Sequence, residues 1–334
     1  MQAQTPVGQL LERHAEAYPS PCWVAPPVDA WLQARAKAVI SADHAVLNSF
    51  RAAGKSGLTP FDSLAVDEAG QWVLFWPKAL QLGQWWLEWL CRQLPPGTPF
   101  TVVGENQGGI KRVPKLLEAM GMESEKIDSA RRCSLFVTRS PQTGPQAADE
   151  WIRFSANGLV LESHPGVFGH GKLDEGTQLL LDTLPRWQPT QRSRVLDMGC
   201  GDGILAATLA RQGCGITAVD VNHFAVEATR RTLAANGLQG DVLASDVYSA
   251  LHERRFDTIV SNPPFHQERS IDYGPAARLI RQAPQYLSRG GRLVIVANAF
   301  LPYPQVLEET FGGFETLADN RRFRVYQAFA DGAV

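Results

Sequence analysis

Between positions 194 and 297, five short and nearly unbroken apolar runs (194–198, 215–219, 241–244, 256–261 and 292–297) alternate with stretches of helical periodicity (204–212, 224–235 and 278–287). No other feature restricts the fold as much. Apolar runs without polar alternation belong to strands covered on both faces, and strands separated by helices pair in parallel through right-handed crossovers. The pattern predicts a doubly wound α/β sheet. After 297 the rhythm changes. A helix at 304–311 precedes two strands, 314–318 and 323–329, joined by the short turn Asp319-Asn320-Arg321-Arg322, close enough to pair as an antiparallel hairpin.

The first half is also α/β: strands at 71–76, 100–103 and 134–138 alternate with helical stretches near 79–93 and 110–120. A chain of 334 residues exceeds one ordinary core. Residues 140–148 are poor in large apolar side chains and rich in turn formers, so a linker is expected there, dividing the chain into domains 1–145 and 146–334. Trp72, Trp76, Trp85, Trp86 and Trp89 lie along one strand and one helix, a spacing that suits core packing better than a base-stacking platform. The glycines of 102–109 read as a structural turn, an anion cradle being the alternative.

Hydrophobic residues at 44% and charged residues at 20% exclude a disordered or fibrous protein. The formal charge of −2 is shared evenly between the two halves, so bulk charge points to no polyanionic partner and any basic surface must arise by clustering. Every basic residue after position 150 except Lys172 is Arg, which suits phosphate and base contacts, although high genomic GC content would produce the same bias. Cys22, Cys91, Cys133, Cys200 and Cys214 are widely spaced, with no C-x-x-C and no nearby His pair; neither disulfides nor a metal are expected. Residues 1–21 show no leader or anchor, so a cytoplasmic protein without membrane contact is expected.

The run Val195-Leu196-Asp197-Met198-Gly199-Cys200-Gly201-Asp202-Gly203 breaks a buried strand into three glycines before a helix, letting backbone approach a ligand at the carboxyl ends of the strands. Gly201-x-Gly203-x-x-Ala206 also fits a dinucleotide fingerprint, so an NAD-dependent oxidoreductase has to be weighed. Asp197 would repel a pyrophosphate and attract the amino group of a methionine moiety, which favours S-adenosylmethionine. Asp220 ends the next strand, where it can accept both hydroxyls of a ribose, a feature of either ligand. Asp246, with Val247 beside it, offers a carboxylate to an adenine amino group, or equally caps a helix.

Strand 256–261 runs into Asn262-Pro263-Pro264-Phe265. Prolines fix the backbone, so the Asn262 side chain and the Pro263 carbonyl can present two acceptors in a fixed fork, with Phe265 as a stacking surface. An amine conjugated to a ring is a poor nucleophile. Two acceptors gripping its hydrogens pull the nitrogen toward tetrahedral geometry and free its lone pair for a sulfonium methyl. An oxidoreductase has no use for this arrangement. The target base must be single-stranded, bulged or flipped out to reach the pocket. Arg269 is expected to meet the nucleic-acid backbone beside it, with Arg321, Arg322 and Arg324 as weaker candidates.

Together with His164-Pro165-Gly166-Val167-Phe168, the segments 173–180, 197–203, 234–237, 261–266 and 296–303 resemble the guanine-N2 methyltransferases of ribosomal RNA, nearest the small-subunit type C. The likeness extends into the first half through Trp76-Pro77-Lys78, 103–106 and 128–133. It implies two Rossmann-like methyltransferase domains in tandem: residues 1–145 degenerate, and 146–334 catalytic on a seven-stranded sheet with a terminal antiparallel hairpin. It implies S-adenosylmethionine bound by Asp197, Gly199, Gly201, Asp220, Asp246 and Val247, and catalysis by Asn262, Pro263 and Phe265. The implied substrate is the N2 amine of a guanine in 16S ribosomal RNA, within the assembled small subunit, for a monomeric, metal-free enzyme. Alternatives are large-subunit RNA, adenine-N6, a glutamine amide, or a non-catalytic RNA-binding assembly factor.

Overall fold

A computed structural model of the chain describes residues 2–66, 70–145, 150–263 and 274–330. These fold as two compact units, Met1–Glu150 and Trp151–Val334. The first runs α1 (Pro6–Glu12), β1 (Pro21–Val24), α2 (Ala30–Arg35), β2 (Ala38–Ile40), α3 (His44–Ala52), β3 (Ser56–Leu58), β4 (Gln71–Phe75), α4 (Leu80–Gln93), β5 (Pro99–Glu105), α5 (Val113–Ala119), β6 (Ser124–Ala130) and β7 (Cys133–Arg139). The second opens on a hairpin, β8 (Ile152–Ala156) and β9 (Leu159–Ser163), followed by α6 (Glu175–Asp182) and α7 (Leu184–Trp187). Its sheet region runs β10 (Arg194–Met198), α8 (Ile204–Arg211), β11 (Gly215–Asp220), α9 (His223–Ala235), β12 (Asp241–Ala244) and β13 (Phe256–Ser261). It ends with α10 (Pro275–Tyr286), β14 (Leu287–Asn298), α11 (Tyr303–Phe311), β15 (Glu315–Asp319) and β16 (Phe323–Phe329).

The two seven-stranded sheets have one topology: β3-β2-β1-β4-β5-β7-β6 in the first unit and β12-β11-β10-β13-β14-β16-β15 in the second. Strand β7, like β16, is antiparallel to both of its neighbours. The expected α/β class and the terminal hairpin are both present. In each sheet the order reverses between the first and fourth strands, which opens a crevice at their carboxyl ends where such sheets bind ligands.

Side-chain alternation along β10 sets up the site. Val195 packs with Leu205 and Val226 on the face covered by α8 and α9, whereas Leu196 and Met198 pack with Leu279 and Ile280 of α10 on the other. Asp197, in register with Val195, therefore points beneath α8. The pairing Met198↔Ser261 places the residues that follow, Gly199 and Asn262, side by side at the strand tips.

Trp72, Trp76, Trp85, Trp86 and Trp89 are all at most 6% exposed, so they are core, as their spacing predicted. All five cysteines are buried, and no two of them form a disulfide. Among the described residues no cluster of His, Cys, Asp and Glu could hold a metal, and no helix is long and apolar enough to cross a membrane. The boundary furthest from expectation is the start of one strand. Strand β14 begins at Leu287, directly after α10, rather than at 292, with a register irregularity opposite Phe256 and Thr258 that absorbs the glycines Gly290 and Gly291.

Candidate active site

The loop after β10 is held by its neighbours before any ligand is considered. The amides of Gly199 and Cys200 both donate to the Val219 carbonyl (2.8 and 3.0 Å). Gly199, Gly201 and Gly203 all have positive φ (79°, 56° and 86°), a conformation that costs other residues energy. A Cβ on Gly201 would meet nothing within 4 Å, whereas one on Gly203 would lie 2.9 Å from the Thr229 Cα. Gly201 thus leaves room above the loop, and Gly203 lets α8 pack against α9.

Asp197 is fully buried. Its Oδ2 accepts from the Ala206 amide in the first turn of α8 (3.0 Å), and its Oδ1 has no hydrogen-bond partner among the described residues. Asp220 accepts from the Gly201 amide (3.1 Å) and the Asn222 amide (2.9 Å), so it braces the glycine loop as well as ending β11. Asp246 spends its carboxylate on Arg278 of α10 (2.7 and 3.2 Å). Both partners are partly exposed, and such a pair contributes about 1 kcal/mol or less. Val247 beside it is buried with φ 52°.

The acids raise one another. Burial, then the charges of Asp220 and Asp202, push the Asp197 carboxyl up to about 7. Burial, with Asp174 adding repulsion, pushes Asp202 up to about 6. The Cys200 thiol is raised by burial and the same carboxylates, so it stays neutral and is no nucleophile.

At the tip of β13, Ser261 donates to the Met198 carbonyl (2.6 Å), tying the fourth strand to the first. The Asn262 Nδ2 donates to Asp174 Oδ2 (2.8 Å) and Thr177 Oγ1 (2.7 Å), while Oδ1 is buried with no partner among the described residues. A carboxylate accepts and never donates when ionised, so this contact fixes which end of the amide is oxygen. Pro263 is buried beside it. Phe265 and Arg269 lie outside the described residues.

Asp174, Thr177, Asp202 and Gly166 were not assigned roles from the sequence. The first two carry a local signal, an acidic N-cap three residues before a hydroxyl: Asp174 Oδ2 accepts from the Thr177 amide at 3.0 Å. Gly166 lies so close to Phe224 that a Cβ would come within 2.3 Å of its ring, and Asn222 donates to the Gly166 carbonyl (2.7 Å). His164 stacks on Phe224 at 4.2 Å, and burial lowers its pKa to about 3. His164 and Gly166 are therefore packed onto the start of the helix that follows Asp220.

What this crevice can hold follows from its charge. Three carboxylates, Asp197, Asp202 and Asp220, surround a loop that leaves space above Gly201, which disfavours a pyrophosphate and suits a nucleoside carrying a positive sulfonium and ammonium. S-adenosylmethionine fits those residues and NAD does not. The chain is a Rossmann-like, S-adenosylmethionine-dependent methyltransferase.

Known proteins narrow the class further. The Methyltransferase small domain family matches residues 158–327, and the Methyltransferase small domain N-terminal family matches 8–155. A ribosomal RNA small subunit methyltransferase C from Chromohalobacter salexigens is 56% identical over 98% of each chain. One of the same description from Klebsiella pneumoniae is 42% identical, covering 98% of this chain and 97% of its own. The structure of a T. thermophilus 16S rRNA N2 methyltransferase in complex with AdoMet and guanosine superposes with a TM-score of 0.87 at 28% identity, covering 98% of this chain and 92% of that one. The chain belongs to the ribosomal RNA small subunit methyltransferase C family.

Proposed function

We propose that this protein methylates the exocyclic N2 amine of a guanine in 16S ribosomal RNA with S-adenosylmethionine as donor, acting in the cytoplasm as a metal-free monomer on the assembled small subunit. The observation that carries the reaction is Asn262: both amide hydrogens are engaged by Asp174 and Thr177, and Oδ1 has no partner among the described residues, which leaves it as an acceptor beside the glycine loop. When bound, S-adenosylmethionine supplies an electrophilic methyl group. Asn262 Oδ1 and the Pro263 carbonyl accept the hydrogens of the amine and orient its lone pair, and Phe265 stacks on the base. No strong base is needed, because positive charge on the nitrogen makes its hydrogens easy to lose after transfer.

The first unit supports a structural or RNA-binding role. Its strand tips carry other residues: Ala25-Pro26-Pro27 follows β1 where glycines follow β10, Ser41 follows β2, and Trp76-Pro77 follows β4 where Asn262-Pro263 follows β13. The Trp76 ring fills that position so closely that a Cβ on Gly83 would come within 2.5 Å of it, and one on Gly104 within 2.8 Å of the Trp76 Cβ. Gly104 thus serves packing, and Gly109, at φ 89°, serves the turn.

Cofactor affinity should depend on pH through Asp197. A cationic ligand favours the ionised carboxylate, whereas the free protein holds a proton there below about 7. As pH falls through that value a proton must leave for each ligand bound, so Kd should rise by up to about tenfold per pH unit. Calorimetry in buffers of different ionisation enthalpy checks this; a Kd flat from about pH 6 to pH 8, without proton release, would remove Asp197 as a charged partner.

The assignment of substrate is tested by nucleoside mass spectrometry. Purified protein and S-adenosylmethionine are incubated with small subunits, naked 16S RNA or large subunits lacking the modification. One N2-methylguanosine per small subunit is expected. Product confined to large subunits, methyladenosine, or no product despite cofactor binding would select the respective alternative.

A further inference from the structure

We propose that Asp174 and Thr177 are positioning residues that aim and strengthen the Asn262 acceptor. This rests on the reaction proposed above. The N-terminal turn of α6 reaches the tip of β13 across more than eighty residues of sequence, and helix capping alone does not account for the contact. As N-cap, Asp174 Oδ2 already accepts the Thr177 amide (3.0 Å); the same oxygen also receives Asn262 Nδ2 (2.8 Å), and the Thr177 hydroxyl receives the second amide hydrogen (2.7 Å). A side chain that needed only burial would not leave its carbonyl oxygen, as Asn262 does, without a partner among the described residues, since an unmet buried acceptor costs roughly 1–3 kcal/mol.

The clamp has two consequences. It removes the flipped amide rotamer, because turning Asn262 over would set its oxygen against a carboxylate. It also polarises the amide: donation from nitrogen to an anion increases electron density on Oδ1. As the substrate amine gains positive charge during methyl transfer, its hydrogens bind a more negative Oδ1 more strongly, so the benefit is larger in the transition state than in the ground state. The turn is braced from the other side. A Cβ on Gly176 would lie 3.1 Å from Asp174 Oδ2, 3.4 Å from the Phe323 ring and 3.5 Å from Asn262 Nδ2, so a larger residue there would press on the Asp174 carboxylate. Arg322 on the terminal turn pairs with Glu175. That pair is exposed on both sides and adds little to the clamp.

The test compares kcat, KM for small subunits, cofactor Kd and thermal stability in Asp174→Asn, Thr177→Val and Thr177→Ser. Asn caps a helix as well as Asp, so Asp174→Asn keeps α6 while removing the charge. We expect kcat to fall about 10- to 100-fold in Asp174→Asn, the range typical of residues that orient a reacting group from outside it, with KM and Kd within about twofold. Thr177→Val should lose about tenfold in kcat and Thr177→Ser should recover it. In an Asn262→Ala background, Asp174→Asn should lower the residual rate no further, since the group it acts through is gone. Unchanged kcat in Asp174→Asn, or an equal loss with and without Asn262, would overturn the proposal. A wild-type enzyme that forms no N2-methylguanosine would fail earlier, at the substrate assignment.

Discussion

Asn262→Ala is expected to lower kcat on the order of 10³-fold, the scale of removing one preorganised polar group from a transition state, while cofactor Kd stays within about twofold. The side chain touches neither the glycine loop's hydrogen bonds nor the Asp197 and Asp220 carboxylates, so the cofactor's surroundings survive. Stability should fall by about 1 kcal/mol, because Asp174 and Thr177 each lose a donor. Asn262→Asp is the sharper control. It keeps an acceptor oxygen and the size of the side chain, yet sets a second carboxylate where Asp174 Oδ2 now receives an N–H at 2.8 Å. Two acids at that distance share a proton or repel, so the aspartate variant should be as inactive as the alanine and less stable. Single-turnover transfer of labelled methyl to small subunits, with calorimetric cofactor binding alongside, measures both. Activity in Asn262→Asp above a tenth of wild type would mean that an oxygen at this place suffices whatever holds it.

Local chemistry was legible in the sequence and long-range chemistry was not. Strands β10, β12 and β13 fall where their apolar runs predicted, since a strand buried on both faces needs an unbroken run. In the first unit β1 and β3 have only four and three residues, and β3 is half exposed, so periodicity had nothing to register. The repeated fold is legible through the family resemblance and not through its motifs, because Trp76 and Ala25-Pro26-Pro27 stand where the second unit has them. Gly199, Gly201, Gly203 and Asn262 could be singled out because turn and acceptor are encoded within a few residues. Asp174 and Thr177 could not, since they meet Asn262 across 88 and 85 positions. The same limit applies to Asp246, whose partner Arg278 lies 32 residues away on another helix.

Two neighbouring glycines should fail in opposite ways. Gly201 and Gly203 both sit at positive φ, so an alanine at either costs about 1–2 kcal/mol in backbone strain. At Gly203 the added Cβ also meets the Thr229 Cα at 2.9 Å and its side chain at 3.1 Å, and backbone cannot rotate out of the way. Relief requires moving α9 away from α8, which breaks the Thr229 hydroxyl's hydrogen bond to the Gly201 carbonyl (3.1 Å). Gly203→Ala is therefore expected to cost about 3 kcal/mol or more in total, the scale of overpacking added to strain, and to lower Tm by about 6–12 °C. At Gly201 the Cβ meets no protein atom within 4 Å and projects into the space left above the loop. Gly201→Ala should stay within about 2 kcal/mol of wild type in stability, yet weaken cofactor binding at least about 100-fold, because a methyl group occupies the room the ligand needs. Thermal unfolding with and without S-adenosylmethionine reads both effects: Gly203→Ala shifts the ligand-free transition, and Gly201→Ala abolishes the ligand-induced rise. Equal ligand-induced rises in Gly201→Ala and wild type would place the cofactor somewhere other than above this loop, and with it the acceptor at Asn262 would lose its partner in the reaction.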